Sequence, residues 1–134
     1  MDILIVDDSN FILNKLKNFL CCEFNNLNCF IALDGFEAIE IFKTQKIDIL
    51  ILDLIMPNLT GVELIKKVRK IDTSVGIIVI SADIQKKTKD RVLEYNILKF
   101  INKPLNKEKM IEISGLMSLF KMKNNQCQKG ENLC

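Results

Sequence analysis

At 134 residues the chain is sized for a single domain, which at about this length buries roughly two-thirds of its unfolded surface. Its 19 basic and 17 acidic residues are interspersed and leave a net charge of +2, which argues against direct nucleic-acid binding, and with no histidine it lacks the commonest zinc ligand and the usual partner of a nucleophilic Ser or Cys. No apolar run reaches the ~18 residues of a membrane span and no signal peptide precedes Met1-Asp2, so a cytoplasmic protein without membrane insertion is expected.

Ile3-Leu4-Ile5-Val6 is an apolar run that predicts a first strand, closed by Asp7-Asp8. Ser9-Asn10 can cap a helix, and Ile12, Leu16, Phe19 and Leu20 recur at helical spacing to about Phe24. Cys29 to Ala32 reads as a short second strand ended by the turn signal Asp34-Gly35, and Ala38, Ile39 and Phe42 mark the buried side of a short second helix. Ile49-Leu50-Ile51-Leu52 is unbroken and apolar, as in a parallel strand covered on both faces, and it ends in the carboxylate of Asp53. Burying that charge would cost several kcal/mol, so Asp53 is placed just past the strand, in a polar crevice.

After Pro57-Asn58, Thr60-Gly61-Val62-Glu63 has the form of a capping box, and Leu64, Ile65, Val68 and Ile71 stripe a third helix. Gly76 to Ile80 predicts a fourth strand ending at Ser81-Ala82. A helix from about Ile84 to Tyr95 is nearly all polar, with Ile84, Val92 and Tyr95 its candidates for a core contact, and Asn96 suits a left-handed helix end. Leu98 to Ile101 predicts a fifth strand, followed by Asn102-Lys103-Pro104, and Ile113, Leu116, Met117 and Phe120 stripe a last helix. The domain is therefore expected over residues 1–121, with 122–134 a polar, disordered tail. The five cysteines, Cys21, Cys22, Cys29, Cys127 and Cys134, lack metal-ligand spacing, and the first three are expected as small core or near-core residues.

Five successive βα units argue for an α/β domain with a parallel sheet between two helical layers. If strands one, three, four and five are neighbours, Asp7, Asp8, Asp53, Ser81 and Lys103 share the edge of the sheet where ligands bind in open α/β folds. Any one of them alone is an ordinary cap, turn or loop residue; together they make a site. Three converging carboxylates repel one another, and a hard divalent cation such as Mg²⁺, which takes a few carboxylate oxygens, waters and phosphate, would relieve that. Lys103 as a point charge and Ser81 as a hydroxyl donor suit phosphoryl oxygens, and Asp53 would be the nucleophile that accepts a phosphoryl group as an acyl phosphate. Such chemistry rests on positioning and charge neutralisation.

These motifs, Asp7-Asp8, Asp53 with Met56-Pro57 and Gly61, Ser81-Ala82 and Lys103-Pro104, with Asp34-Gly35 and Ala38, resemble the receiver domain of bacterial two-component response regulators over residues 1 to 121. The resemblance implies a flavodoxin-like (βα)5 fold with strand order 2-1-3-4-5. It implies a sensor histidine kinase or phosphotransfer protein as phosphoryl donor, and Asp53 as phosphoacceptor. It further implies Mg²⁺ held by Asp8, Asp53 and the backbone carbonyl of Ile55, with Asp7 acting through a water on the metal, and Ser81 with Phe100 as the switch pair. Asn96 stands where the family has Gly, Phe100 lacks the hydroxyl of a Tyr, and Ile55 is apolar where some members carry a polar side chain. With no output domain in the sequence, a stand-alone or truncated receiver is expected, its downstream target meeting the Ile84–Phe100 region. The alternatives are a phosphorelay intermediate and a pseudo-receiver that is never phosphorylated. A flavin-binding domain of the same topology is disfavoured, because Asp7-Asp8-Ser9 would repel a flavin phosphate.

Overall fold

Five strands alternate with five helices in the computed structural model, which describes the backbone of residues 1–83 and 85–132 and the side chains of those residues through 125. In chain order they are β1 (Asp2–Val6), α1 (Asn10–Glu23), β2 (Asn28–Ala32), α2 (Gly35–Thr44), β3 (Ile49–Leu52), α3 (Gly61–Ile71), β4 (Gly76–Ser81), α4 (Lys86–Leu93), β5 (Lys99–Asn102) and α5 (Lys107–Asn132). Every strand pairing is parallel and the sheet order is β2-β1-β3-β4-β5, the flavodoxin-like arrangement expected.

Successive strand side chains point to opposite faces, so each apolar run feeds two cores. Leu4, Val6, Leu50, Leu52, Ile77 and Val79 meet Ala38 and Phe42 of α2, Leu64, Ile65 and Val68 of α3, and Val92 of α4. Ile3, Ile5, Ile49, Ile51, Ile78 and Ile80 meet Leu13, Leu16 and Leu20 of α1 and Met110, Ile113 and Met117 of α5. Fully burying each such Leu or Ile contributes about 1.5–3 kcal/mol, which is why the unbroken runs occupy the sheet.

The helix starts follow the capping rules. Ser9 Oγ accepts the Ile12 N–H at 3.3 Å and Thr60 Oγ1 the Glu63 N–H at 3.3 Å. Asp34 is a cap too, accepting the Glu37 N–H at 2.8 Å, so Asp34-Gly35 opens α2 directly. The left-handed non-glycine residues among those described are all asparagines, Asn26, Asn58 and Asn96, the last with φ 56° as expected. Arg69 ties the end of α3 to the turn after α4: its guanidinium donates to the carbonyls of Tyr95 (2.8 Å), Val75 (2.7 Å) and Asn96 (3.2 Å).

Three expectations need correction. Cys21 and Cys22 are exposed, because the core side of α1 is taken by Leu13, Leu16 and Leu20, whereas Cys29 on β2 is half-buried against the core as expected. The last helix continues to Asn132 where a polar tail was expected from residue 122, since Lys121-Met122-Lys123 are good helix formers and no proline interrupts them. The fourth helix is shorter than expected and the fifth strand starts one residue later, at Lys99. Val92 is buried and Tyr95 packs on the core as expected, whereas Ile84, the Cys127 side chain and residues 133–134 lie outside the described residues.

Candidate functional site

The parallel register brings the strand ends together. Val6 pairs with Leu52, so Asp7 and Asp53 leave adjacent strands side by side. The Asp7 N–H donates to Ala32 O and the Asp53 N–H to Val6 O, at 3.2 and 3.0 Å, carrying the ladder one residue beyond the strands. Ser81 pairs with Asn102, and the next residue, Lys103, donates its N–H to Ser81 O at 2.9 Å. All the expected polar residues thus stand at one edge of the sheet.

Asp7 and Asp53 are buried and Asp8 is exposed. The Lys103 ammonium bridges the two buried carboxylates, 2.9 Å from Asp7 Oδ2 and 3.0 Å from Asp53 Oδ2. The other oxygen of each is held from the backbone: Asp7 Oδ1 accepts the Ser9 N–H (2.9 Å) and Asp53 Oδ1 the Ile55 N–H (3.2 Å). Burial raises the Asp53 pKa above its ordinary 3.8, with the neighbouring Asp7 charge adding to the rise and the Lys103 and Ile55 hydrogen bonds limiting it. Burial works against the charged Lys103, but its bonds to Asp7 and Asp53 outweigh that and raise its pKa above 10.5.

Carboxylate oxygens of Asp7, Asp8 and Asp53 lie within 4.8 Å of one another. Three carboxylates face a single ammonium, so the cluster keeps an excess of negative charge. An all-oxygen donor set of that charge fits a hard divalent cation such as Mg²⁺.

The loop between β3 and α3 is held against the helix by glycine. Gly61 donates its N–H to Leu54 O at 2.9 Å, and a Cβ there would lie 2.6 Å from Asp53 O. Only a residue without a side chain lets α3 begin this close to the carboxylate-bearing turn.

Ser81 is fully buried, and its hydroxyl accepts the Asp83 N–H at 3.1 Å. The Asp83 carboxylate accepts from Gln85 N–H (3.0 Å) and Thr88 Oγ1 (3.0 Å), which links Ser81 to the start of α4. Phe100 is half-buried on β5, with the Lys89 ammonium of α4 5.2 Å from its ring centroid. Ile55 is 60% exposed at the mouth of the site. Sequence reading missed Asp83, Thr88 and the Lys89–Phe100 contact, which no periodicity marks. It also missed Lys15 and Lys109, which turn their ammonium groups onto the loop after β5. A signal for Lys109 existed: it occupies the place where a capping box would put Glu.

The response regulator receiver domain family matches residues 3–114. The chain is 34% identical over 116 residues to the chemotaxis protein CheY of Thermotoga maritima, covering 87% of this chain and 96% of that protein. It is 30% identical over 133 residues to the probable transcriptional regulator ycf29 of Porphyra purpurea, covering 98% of this chain but only 63% of that regulator's length. Among solved structures it resembles the receiver domain of the Francisella response regulator 1452, with a TM-score of 0.77 and 27% identity over 91% of this chain and 98% of that one.

Proposed function

The chain belongs to the response regulator receiver family, and from that premise we propose that it is a phosphoryl-accepting switch of a two-component system, with Asp53 as acceptor. CheY-like receiver domains interact with histidine kinases and downstream targets. The donor here would be the phosphohistidine of a sensor kinase or of a phosphotransfer protein. The observation that carries the reading is the buried Asp7–Lys103–Asp53 bridge with Asp8 beside it, at the carboxyl edge of the sheet.

In the transfer, an Asp53 carboxylate oxygen forms a bond to phosphorus while the phosphorus–nitrogen bond of the donor breaks. The donor imidazole leaves with the electron pair and takes up a proton from solvent. Lys103 exchanges its contact with Asp53 for the incoming phosphoryl oxygens, and Ser81 donates its hydroxyl to them. Asp7, Asp8, Asp53 and the backbone carbonyl of Ile55 would hold Mg²⁺, which when bound neutralises the charge of the carboxylates and phosphoryl oxygens. Burial raises the pKa of Asp53 and makes its carboxylate more basic than an exposed one, while the bridging Lys103 opposes that rise.

The new phosphoryl group carries about 1.5 to 2 negative charges where the carboxylate carried one. The Ser81 hydroxyl then turns from Asp83 toward it, which releases the start of α4, and Phe100 moves into the space left. α4 buries only Val92, so moving it costs little, and its Lys86-Lys87-Lys89 run would meet an acidic surface on the downstream target.

Intact-mass measurement with acetyl phosphate tests the proposal. A single phosphoryl adduct is expected only with Mg²⁺ present and none in Asp53→Ala; equal labelling of that variant refutes the assignment.

A further inference from the structure

Resting on Asp53 as phosphoacceptor, we propose that Lys109 and Lys15 are positioning residues for Lys103, clamping its loop by the backbone carbonyls on either side of it. The loop cannot knit itself together, because Pro104 has no N–H. Instead Lys109 Nζ, from the first turn of α5, donates to Asn102 O at 2.6 Å and Pro104 O at 3.1 Å, bracketing Lys103. Lys15 Nζ, from α1, donates to Leu105 O at 3.1 Å. The Leu105 side chain is buried in the core that α1 and α5 share, so the two clamping helices and the loop rest on one support.

The identity of residue 109 is otherwise unfavourable. Asn106 caps α5, accepting the Lys109 N–H at 2.9 Å, and a cation in that first turn opposes the helix dipole by about 0.3–1 kcal/mol. Among the described residues neither Lys109 nor Lys15 forms an ion pair with a carboxylate. Both ammonium groups are directed at carbonyls, and charge-assisted bonds of this kind are roughly twice as strong as neutral ones. The result is a fixed backbone from which the Lys103 ammonium reaches Asp7 and Asp53 together, at 2.9 and 3.0 Å. A shift of about 1 Å in that backbone would lengthen one contact beyond bonding range.

The test uses the full chain with acetyl phosphate as donor at saturating Mg²⁺, the labelling rate being read by intact mass. Lys109→Met keeps the stem and removes the donors. It should slow labelling by about tenfold while the Mg²⁺ and acetyl phosphate concentrations for half-maximal rate stay within about twofold. Lys109→Arg, which retains donors, should recover most of the rate. In a Lys103→Met background, Lys109→Met should add no further loss, because it acts through Lys103. An unchanged rate in Lys109→Met, or the same loss in both backgrounds, overturns the clamp.

Amide spectra without Mg²⁺ decide the question independently of labelling. Lys109→Met should move the resonances of Lys103, Leu105, Asp7 and Asp53, and Lys109→Arg should restore them; unmoved resonances overturn the clamp. If wild-type protein does not label, the phosphoacceptor reading falls while these spectra still judge the clamp. If Lys109→Met does not fold, Lys15→Met takes its place in both measurements.

Discussion

Two glycines in helical backbone should respond oppositely to one added methyl group. At Gly61, the first residue of α3, a Cβ would lie 2.5 Å from Leu54 Cα, 2.6 Å from Asp53 O and 2.9 Å from Leu54 Cδ2. Carbon atoms attract best at about 3.5–4.0 Å, so roughly 1 Å must open. Two of the three atoms are backbone, and the Gly61–Leu54 hydrogen bond of 2.9 Å holds the surfaces together. Against backbone atoms that cannot give way, overpacking costs about 2–3 kcal/mol, and the helix gains at most about 1 kcal/mol from losing Gly, so Gly61→Ala should be destabilised by about 1–3 kcal/mol. At Gly115, exposed within α5, an added Cβ meets nothing within 4 Å, and Gly115→Ala should gain about 0.5–1 kcal/mol. Melting should shift by about 3–5 °C per kcal/mol in a domain of this size, downward in the first variant and upward in the second. Urea unfolding followed by far-UV circular dichroism, with the slope unchanged, measures both. Gly61→Ala as stable as wild type, or Gly115→Ala less stable, would refute the packing argument. Because the obstructed oxygen belongs to Asp53, labelling should slow in Gly61→Ala and stay unchanged in Gly115→Ala.

Three further outcomes are expected. Burial, with Cys21 adding to it and Lys17 opposing it, pushes the half-buried Cys29 thiol up to about 11, so a disulfide reagent near pH 8 should modify exposed Cys21 and Cys22 well before Cys29. Equal rates at all three would contradict that burial. Lys103 binds its proton more tightly folded than unfolded, so in Mg²⁺-free buffer its stabilisation is complete below 10.5 and is lost as pH rises through its higher folded value. Denaturant titrations of Lys103→Met against wild type should converge above that pH, and a constant difference would count against the ion pair. Ile55, apolar at the mouth of the site, cannot orient an attacking water, so Ile55→Asn should shorten the acyl phosphate lifetime; a lifetime unchanged or longer would remove the shielding role.

The fold was legible because its signals are local. Four of the five strands lead directly into or end on a residue bearing chemistry, at Val6-Asp7, Leu52-Asp53, Ile80-Ser81 and Asn102-Lys103, and parallel pairing then aligns those stops without further information. Contacts made only in three dimensions were not legible. Arg69 reads as one more surface cation of α3 until its four carbonyl partners, in the turn after α4 and in the segment just before β4, are in place. Asp83 and Lys109 are likewise defined by what they reach, not by any repeat. Cys21 and Cys22 failed for a different reason: hydrophobic character does not choose a helix face, and Leu13, Leu16 and Leu20 had already chosen it. The continuation of α5 rested on propensity alone, which a reading based on core stripes discounts.

The most direct measurement of the central claim is chemical trapping of the acyl phosphate. After acetyl phosphate and Mg²⁺ treatment, borohydride reduces a phosphorylated aspartate to homoserine, and peptide mass mapping locates it. Homoserine at residue 53 alone, and only in the sample that contained Mg²⁺, is the predicted result. Homoserine at residue 7 or 8, or none at residue 53 in a sample carrying the phosphoryl mass, would contradict it.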